Sequence, residues 1–308
     1  MLSRRHLLRG TGLAAAAGLT AWAPLHAETA APVSRLTPAP TPARRIVAIG
    51  GAITETVYAL GAQADLVGVD TTSLYPSAAT SLPSVGYARA LSAEGLLSLR
   101  PGLVLASGEA GPPVVLRQLQ AAGVPLHVLD AGHDAARVPL RTREIGALLG
   151  RDAAGQTLAA AIERDWRATQ ARVAALAAGA GREGGPRVLF VLSHAMNQVR
   201  IGGRDTAADA MIRHAGARNA FAEVRGFKPL TPEAAIAAAP DIILGTEQGL
   251  TAAGGIDGLL AAPGLSATPA GRARRVVALE ALFLLGFGPR LPQAVTALAE
   301  KLHRAGRG

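Results

Sequence analysis

Cysteine is absent from the 308-residue chain. Its absence excludes disulfides, thiolate metal sites and cysteine nucleophiles together, so packing alone has to stabilise the fold. Aromatic residues are also scarce, at 3 % of the sequence, and only three of them are tyrosines. A tyrosine that stands outside the predicted core segments is therefore a candidate for a functional role.

Motifs of several enzyme classes are missing as well. The sequence contains no GxSxG elbow and no HExxH pattern. The stretch after the first predicted strand, "GAITETVYALGA", lacks the phosphate-binding patterns GxGxxG and GxxxxGK. Ser193 and His194 are adjacent in sequence, which is not the spatial relation that a catalytic triad needs. We expect no enzyme, and a secreted hydrolase that uses this pair is a remote alternative.

Charge argues against a nucleic-acid partner. The formal net charge is +9, and the arginines are scattered rather than gathered into a basic stripe with aromatic platforms. A mildly basic protein that accepts an acidic small molecule is the simpler interpretation.

The N-terminus predicts export. Residues 1–27 combine a basic start, a short apolar run and a small-residue end, and "SRRHLLRG" resembles the twin-arginine consensus. Residues 28–44 are rich in Pro, Ala and Thr and predict a disordered tether. No later segment is long and apolar enough to span a bilayer, so we expect a periplasmic protein without stable membrane insertion.

Short apolar runs then alternate with helical patterns, which favours an α/β fold with parallel sheets. Two Rossmann-like lobes are predicted at 45–150 and 181–308, with a ligand cleft between them. The proline-free, alanine-rich segment Asp152–Ala178 predicts one long rigid helix, and we assign residues 151–180 to this connection. Predicted strands are Ile46–Ile49, Leu66–Val69, Leu103–Ala106, Leu126–Leu129, Val188–Leu192, Ile242–Leu244 and Val276–Leu279.

An internal repeat supports the two lobes. "LSAEGLLSLRPGLVL" (Leu91–Leu105) and "LTPEAAIAAAPDIIL" (Leu230–Leu244) align without a gap. Each has an N-cap hydroxyl followed two residues later by a glutamate, Glu94 or Glu233. Acids favour helix N-termini generally, but this preference does not explain why both stand at the same place in the repeat.

Two histidines follow predicted strands, His133 in "DAGHD" and His194 in "VLFVLSHAMNQ", whereas His214 lies on a helical segment and is expected at the surface. Ligands of parallel α/β sheets bind outside the carboxyl ends of strands, which places both near a cleft. The histidines show no paired metal-ligand spacing, and a bare divalent-metal carrier normally has several converging ligands. Tyr75 lies in a loop after a strand and is a second candidate for the cleft.

Tyr87, in "VGYARALSAEG", follows Gly86 and precedes a helix start. Ferric iron is a hard Lewis acid that accepts a phenolate oxygen, and tyrosine-ligated haem is an established axial type. Arg89 stands two residues on, where it could stabilise the phenolate or pair with a propionate. A hydrogen-bonded wall residue is the plainer interpretation of this tyrosine.

The sequence of residues 45–302 strongly resembles the periplasmic haem-binding proteins of bacterial haem ABC importers. The resemblance is carried by "RIVAIGGAITETVYALGAQADLVGVDTTSLYPSAATSLPSVGYARALSAEGLLSLRPGLVLAS", by "GRDTAADAMIRHAGARNAF" and by "LLGFGPRLPQAV". It implies capture of haem b (hemin) by a monomer and its delivery to an inner-membrane ABC permease with its ATPase. A carrier of a corrinoid or a ferric siderophore on the same fold is the alternative.

The resemblance also implies residue roles. Tyr87 becomes the axial ligand of the haem iron, and Glu94 and Glu233 dock onto the permease. His194 stands where some members use a histidine for a second haem, but the "AMNQVRIGG" that follows departs from the small residues of many relatives. Met196, His133 and Tyr75 are further candidates for distal contacts. Arg89 and Lys228 are the candidates for propionate contacts.

Overall fold

The computed structural model describes residues 44–178, 185–194 and 198–307, with the side chains of residues 193, 194 and 198 left undescribed. The predicted signal peptide and all of the tether except Arg44 lie outside these residues. Met196 and the side chain of His194 lie outside them too, so their predicted roles stay predictions.

The N-terminal lobe is built on a four-stranded parallel sheet in the order β2-β1-β3-β4. The central strands are continuous apolar runs that are buried on both faces, as parallel sheets covered by helices require. All four predicted strands of this lobe are confirmed, three of them with the same bounds. The strands are β1 (Ile46–Ile49), β2 (Leu66–Val69), β3 (Leu103–Ser107) and β4 (Leu126–Leu129).

Four helices cover this sheet: α1 (Gly51–Ala59), α2 (Ala93–Ser98), α3 (Pro113–Ala121) and α4 (Arg137–Leu148). One apolar cluster lies under α1 and α4, and a second lies under α2 and α3. Short 3-10 turns occupy Gln63–Asp65 and Ser77–Ser81.

Helix α5 (Asp152–Ala178) connects the two lobes and confirms the long-helix prediction, residue for residue. Its Leu158 packs against the main apolar cluster of each lobe. Its Thr169 donates a hydrogen bond to the carbonyl of Pro292 at 3.0 Å, which ties the helix to the C-terminal lobe. The helix is therefore packed along its length, which explains how so long a segment is stable outside a coiled coil.

The C-terminal lobe has a mixed sheet in the order β10-β9-β5-β6-β8, with β7 beside β5. Strands β10, β9 and β5 are parallel, whereas β6 pairs antiparallel with both β5 and β8. Its predicted strands are confirmed; β6, β7 and β8 had no counterpart in the prediction, because they are short and partly polar. The strands are β5 (Arg187–His194), β6 (Gln198–Gly202), β7 (Arg218–Asn219), β8 (Phe227–Pro229), β9 (Ile242–Thr246) and β10 (Val276–Leu279).

Seven further helices complete the described part of this lobe: α6 (Ala207–His214), α7 (Pro232–Ala238), α8 (Glu247–Ala252), α9 (Gly255–Leu260), α10 (Pro269–Arg272), α11 (Ala281–Leu285) and α12 (Leu291–Arg307). Helix α12 packs its apolar face on the C-terminal core and against α5. Among the described residues, no helix is long and apolar enough to cross a membrane. The predicted α/β fold with two lobes is confirmed; the domain boundaries remain a prediction.

Candidate ligand-binding cleft

A cleft of about 410 Å³ lies between the two lobes. The carboxyl ends of all four N-terminal strands reach it, because Gly50, Thr71, Ser107 and Asp130 each end a strand or follow one within two residues and line the cavity. This edge of a parallel α/β sheet is where such folds bind ligands.

The start of α1 comes close to the loop after β2. A Cβ on Gly51 would lie 2.4 Å from the carbonyl oxygen of Thr72, so only glycine fits there. Buried Asp70 joins the two segments: its carboxylate accepts hydrogen bonds from the Gly50 amide at 2.8 Å and from the hydroxyls of Thr72 at 2.6 Å and Ser73 at 2.8 Å. Because the buried Asp70 carboxylate is hydrogen-bonded on both sides, it holds these two segments in place beside the cleft. Sequence reasoning missed it, although an acid directly after a strand in "VGVD" was an available signal.

Tyr87 lines the cleft with its side chain 48 % exposed. The residue before it, Gly86, has φ +87°, a left-handed turn that only glycine adopts freely. Backbone hydrogen bonds hold both sides of this turn, from the Thr71 amide to the Gly86 carbonyl at 3.0 Å and from the Gly111 amide to the Ala88 carbonyl at 2.9 Å. The phenol is thus presented to the cavity from a rigid backbone instead of packing into the core.

Arg89 lies beside Tyr87 on the same wall and forms an ion pair with Glu109, with 2.8 Å between Nη2 and Oε1. The hydrogen bond to Glu109 is the main reason why the pKa of Arg89 is raised, and the Tyr87 phenolate would raise it further. Glu109 also lines the cleft, and no sequence pattern pointed to it.

His133 reaches the cleft as predicted, half-buried and edge-on to Phe287 with 5.4 Å between the ring centroids. Burial lowers the pKa of His133, so its imidazole is neutral at pH 7. A neutral imidazole keeps a nitrogen lone pair available to a metal or a hydrogen-bond donor.

The opposite wall comes from α11 and the residues beside it, and it is mostly apolar. Glu280 caps α11 by accepting hydrogen bonds from the amides of Leu282 and Phe283, both at 2.8 Å. Gln248 is fixed in turn by Glu280 and by the Ala281 amide. The residues of this C-terminal wall are Gln248, Ala281, Leu282, Leu285, Gly286 and Phe287.

The other predicted site residues lie elsewhere. Tyr75 stacks beneath the guanidinium of Arg290, 3.5 Å from its ring centroid, and is not among the described lining residues. Lys228 is exposed on strand β8 and is likewise not among them. Glu94 and Glu233 are both exposed in the first turns of α2 and α7. Their predicted roles stay predictions.

One expectation about histidines was wrong. His214 was expected at the surface, but it is half-buried and packs edge-on against Trp166, with 5.0 Å between ring centroids. Burial lowers the pKa of His214. Within the ranges that the structure describes, no three histidine or acidic side chains converge in a way that would hold a bare metal ion.

Residues 46–281 match the model of the family described as periplasmic binding protein. The chain belongs to this family. Membership in a family of binding proteins agrees with the cleft between two lobes.

This periplasmic binding protein is similar to solved structures of two heme-binding proteins. It is 54 % identical to the periplasmic heme-binding protein BhuT in complex with two hemes, over 85 % of this chain and 98 % of that one, with a TM-score of 0.80. It is 43 % identical to the periplasmic heme-binding protein RhuT from Roseiflexus sp. RS-1 in apo form, over 86 % and 99 % of the two chains, with a TM-score of 0.79.

The chain is also 35 % identical over 101 residues to the vitamin B12-binding protein of Yersinia pestis. That match covers 33 % of this chain and 36 % of the relative, so it spans only about a third of either protein.

Proposed function

We propose that this periplasmic binding protein captures haem and delivers it to an inner-membrane ABC permease with its ATPase. One observation carries the proposal: a half-exposed tyrosine beside an arginine faces the cleft of a chain that is 54 % identical to a heme-binding protein over nearly all of that protein. The substrate is haem b in its ferric form, hemin.

Tyr87 would give the iron its axial oxygen. A ferric ion accepts a phenolate oxygen, and the positive charge of the adjacent Arg89 would stabilise the iron-bound anion. The rigid turn that carries Tyr87 keeps the oxygen in place without a large entropic cost on binding. Neutral His133 and, outside the described side chains, His194 and Met196 are candidates for contacts on the far side of the ring.

The C-terminal wall would cover the porphyrin. Leu282, Leu285 and Phe287 present apolar surface to the cavity, and burial of apolar area contributes about 25 cal/mol per Å². Arg89 is the candidate for a propionate contact inside the cleft. Lys228 would act at the margin, since it is exposed on β8.

Delivery would use the outer faces of the lobes. Glu94 and Glu233 are exposed and stand at equivalent places, one on each lobe, where a permease with two basic sites can meet both. Export through the twin-arginine route would place the protein in the periplasm, and we expect it to act as a monomer.

Titration of the purified mature protein with hemin tests the proposal. We expect the visible spectrum of tyrosinate-bound ferric haem at one site or more. Tyr87→Phe, which removes only the phenol oxygen, abolishes that spectrum, whereas the matched change Tyr58→Phe on α1 leaves it intact. A wild-type protein that stays colourless, or a Tyr87→Phe protein with an unchanged spectrum, contradicts the proposal.

A corrinoid carrier is the second candidate, because of the similarity to the vitamin B12-binding protein over 101 residues. Parallel titration with cyanocobalamin separates the two candidates. Cobalamin binding that survives Tyr87→Phe, without hemin binding, favours this second candidate, since Tyr87 would then be a wall residue.

A further inference from the structure

Residues 286–290, which we call the GFGPR segment, join α11 to α12. Part of this segment lines the cleft, and part of it contacts the N-terminal lobe. Gly286 and Phe287 line the cavity, and the chain continues into the long helix that packs on α5. Two arginine contacts cross from the N-terminal lobe to this short segment, one at each end of it.

The first contact joins Arg290 to Glu55 of α1. The Glu55 carboxylate accepts hydrogen bonds from the Arg290 backbone amide at 3.1 Å and from Arg290 Nη2 at 2.9 Å. The side chain of Glu55 is only 5 % exposed. Removal of Arg290 leaves the Glu55 carboxylate without its cation and with little access to water, which is strongly unfavourable.

Two aromatic rings enclose the same guanidinium. The Arg290 Cζ lies 3.5 Å from the Tyr75 ring centroid and 5.0 Å from that of Phe283. Tyr75 belongs to the N-terminal lobe and Phe283 to α11, so the cation–π contacts also join the two lobes. Leu74 and Leu282, the chain neighbours of these two rings, line the cleft.

The second contact joins Arg141 of α4 to Phe287. Buried Arg141 donates from Nη1 to the carbonyl of Asp130 at 2.7 Å and from Nη2 to the carbonyl of Phe287. Phe287 has φ +51°, a conformation that a bulky side chain rarely adopts without support. The arginine thus holds the cleft-lining phenylalanine in an otherwise unfavourable backbone conformation.

We propose that Glu55, Tyr75, Arg141 and Arg290 form an inter-lobe clamp, which holds the GFGPR segment and the C-terminal wall at a fixed distance from Tyr87. The clamp sets the spacing of the lobes before the ligand arrives and slows the ligand's departure. These are positioning residues, because they act through Phe287 and α11 rather than by touching the iron. The effect on ligand release rests on the proposed haem function, whereas the effect on lobe spacing does not.

The Arg172–Glu300 ion pair between α5 and α12 is a matched control. Its Nη2–Oε1 distance is also 2.9 Å, but both side chains are more exposed, and neither residue is among the described residues that line the cleft. Substitution there removes an ion pair of equal length without touching the clamp.

The absence of cysteine makes the test clean. Gln118→Cys on α3 and Ala252→Cys on α8, both exposed, carry spin labels on the two lobes, and pulsed EPR measures their separation without ligand. We expect a narrow distance distribution in the otherwise unmodified protein and in Glu300→Gln. Glu55→Gln broadens it.

The same variants are then loaded with hemin, and its dissociation to excess apomyoglobin is timed. Glu55→Gln releases hemin about tenfold faster while the spectrum of the bound form, which reports Tyr87, stays unchanged; Arg290→Lys gives an intermediate rate because the charge remains. Should Glu55→Gln fail to fold, Arg290→Lys decides by the same two measurements.

Equal distance distributions and equal release rates in the clamp variants and Glu300→Gln would overturn the clamp. A wild-type protein that binds no hemin would defeat the proposed function instead, and the label distances would still decide whether the clamp exists.

Discussion

The two lobes are alike on the outside and different on the inside. On the outer side each presents the same helix–turn–strand unit. The Ser92 hydroxyl accepts the Gly95 amide at 3.4 Å in α2, and the Thr231 hydroxyl accepts the Ala234 amide at 3.2 Å in α7. The repeat predicted both N-caps, and the structure confirms them.

The walls of the cleft, in contrast, share little. Among the described lining residues, every one that carries a charge or a titratable group belongs to the N-terminal lobe. These residues are Tyr87, Arg89, Glu109, Asp130, His133 and Arg141. The C-terminal wall offers one amide, Gln248, and otherwise apolar surface. The difference teaches that two lobes can share a helix–turn–strand unit on the outer side while the walls that they present to the cleft differ in polarity.

The largest expected effect comes from the two glutamates of the helix–turn–strand unit that both lobes share. Glu94→Ala combined with Glu233→Ala lowers haem uptake through the permease by at least about tenfold, because a close interfacial ion pair is worth about 1.5 kcal/mol or more. Hemin titration of the purified double variant stays as in the wild type. Uptake measured in cells that depend on this importer checks the prediction, and full uptake by the double variant would refute the docking role.

The apolar wall predicts the next effect. Leu285→Ala removes part of the surface that covers the ring and weakens hemin binding by up to about tenfold, since each buried CH₂ is worth about 0.8 kcal/mol. The spectrum of the bound haem does not change, because Tyr87, the proposed iron ligand, is on the other wall. Leu140→Ala, at a 54 % exposed site on α4, is the control with no effect. A spectrum altered by Leu285→Ala would break the division between the walls.

The polar wall predicts a smaller effect with a pH signature. Arg89→Gln weakens hemin binding by up to about fivefold, as expected for a partly exposed charge. Without the guanidinium the proposed iron-bound tyrosinate loses a neighbouring positive charge, so on acidification the iron–tyrosinate band is lost at a higher pH than in the wild type. Arg137→Gln, on an arginine that pairs with Asp130 at 3.4 Å, is the matched control. If the iron–tyrosinate band of Arg89→Gln disappears at the same pH as that of the wild type, Arg89 is not part of the site.

The smallest expected effect concerns stability and comes from the half-buried histidines His133 and His214. Burial lowers the pKa values of His133 and His214 below the ordinary 6.5. A depressed folded-state pKa means that the unfolded chain binds protons first, so their contribution is complete above pH 6.5 and is lost as the pH falls through the lower folded values. The melting temperature therefore drops between pH 7.5 and pH 5. The drop is smaller in the double variant His133→Gln/His214→Gln, whereas substitution of the exposed His127 by Gln leaves the drop unchanged. Equal drops in the wild type, the double variant and His127→Gln would contradict this prediction.

Much of the fold could be predicted because it depends on local patterns. The bounds of β1, β2, β4, β10 and α5 were predicted to the residue, since buried strands are short apolar runs and α5 is an uninterrupted helix-forming segment. Strands β6 and β8 could not be predicted, because only pairing with each other and with β5 makes their short, partly polar segments into strands.

The candidate site divides in the same way. Tyr87 could be found because it is a scarce side chain between a left-handed glycine and a helix start. Glu109 and Arg141 could not, since nothing in their own neighbourhoods distinguishes them from ordinary charged residues. The surface prediction for His214 failed because Trp166, which covers it, is distant in sequence.

The sequence by itself determined the alternating α/β pattern, the single long connecting helix, the repeated capped unit and the tyrosine that faces a cleft. Each of these depends on neighbours within a turn or a strand. The tertiary structure alone decided which wall is polar, which acid holds Arg89, and how Arg290 meets Glu55 across 235 residues of chain. Such contacts follow from how packed elements bring distant side chains together, and no local pattern encodes that geometry.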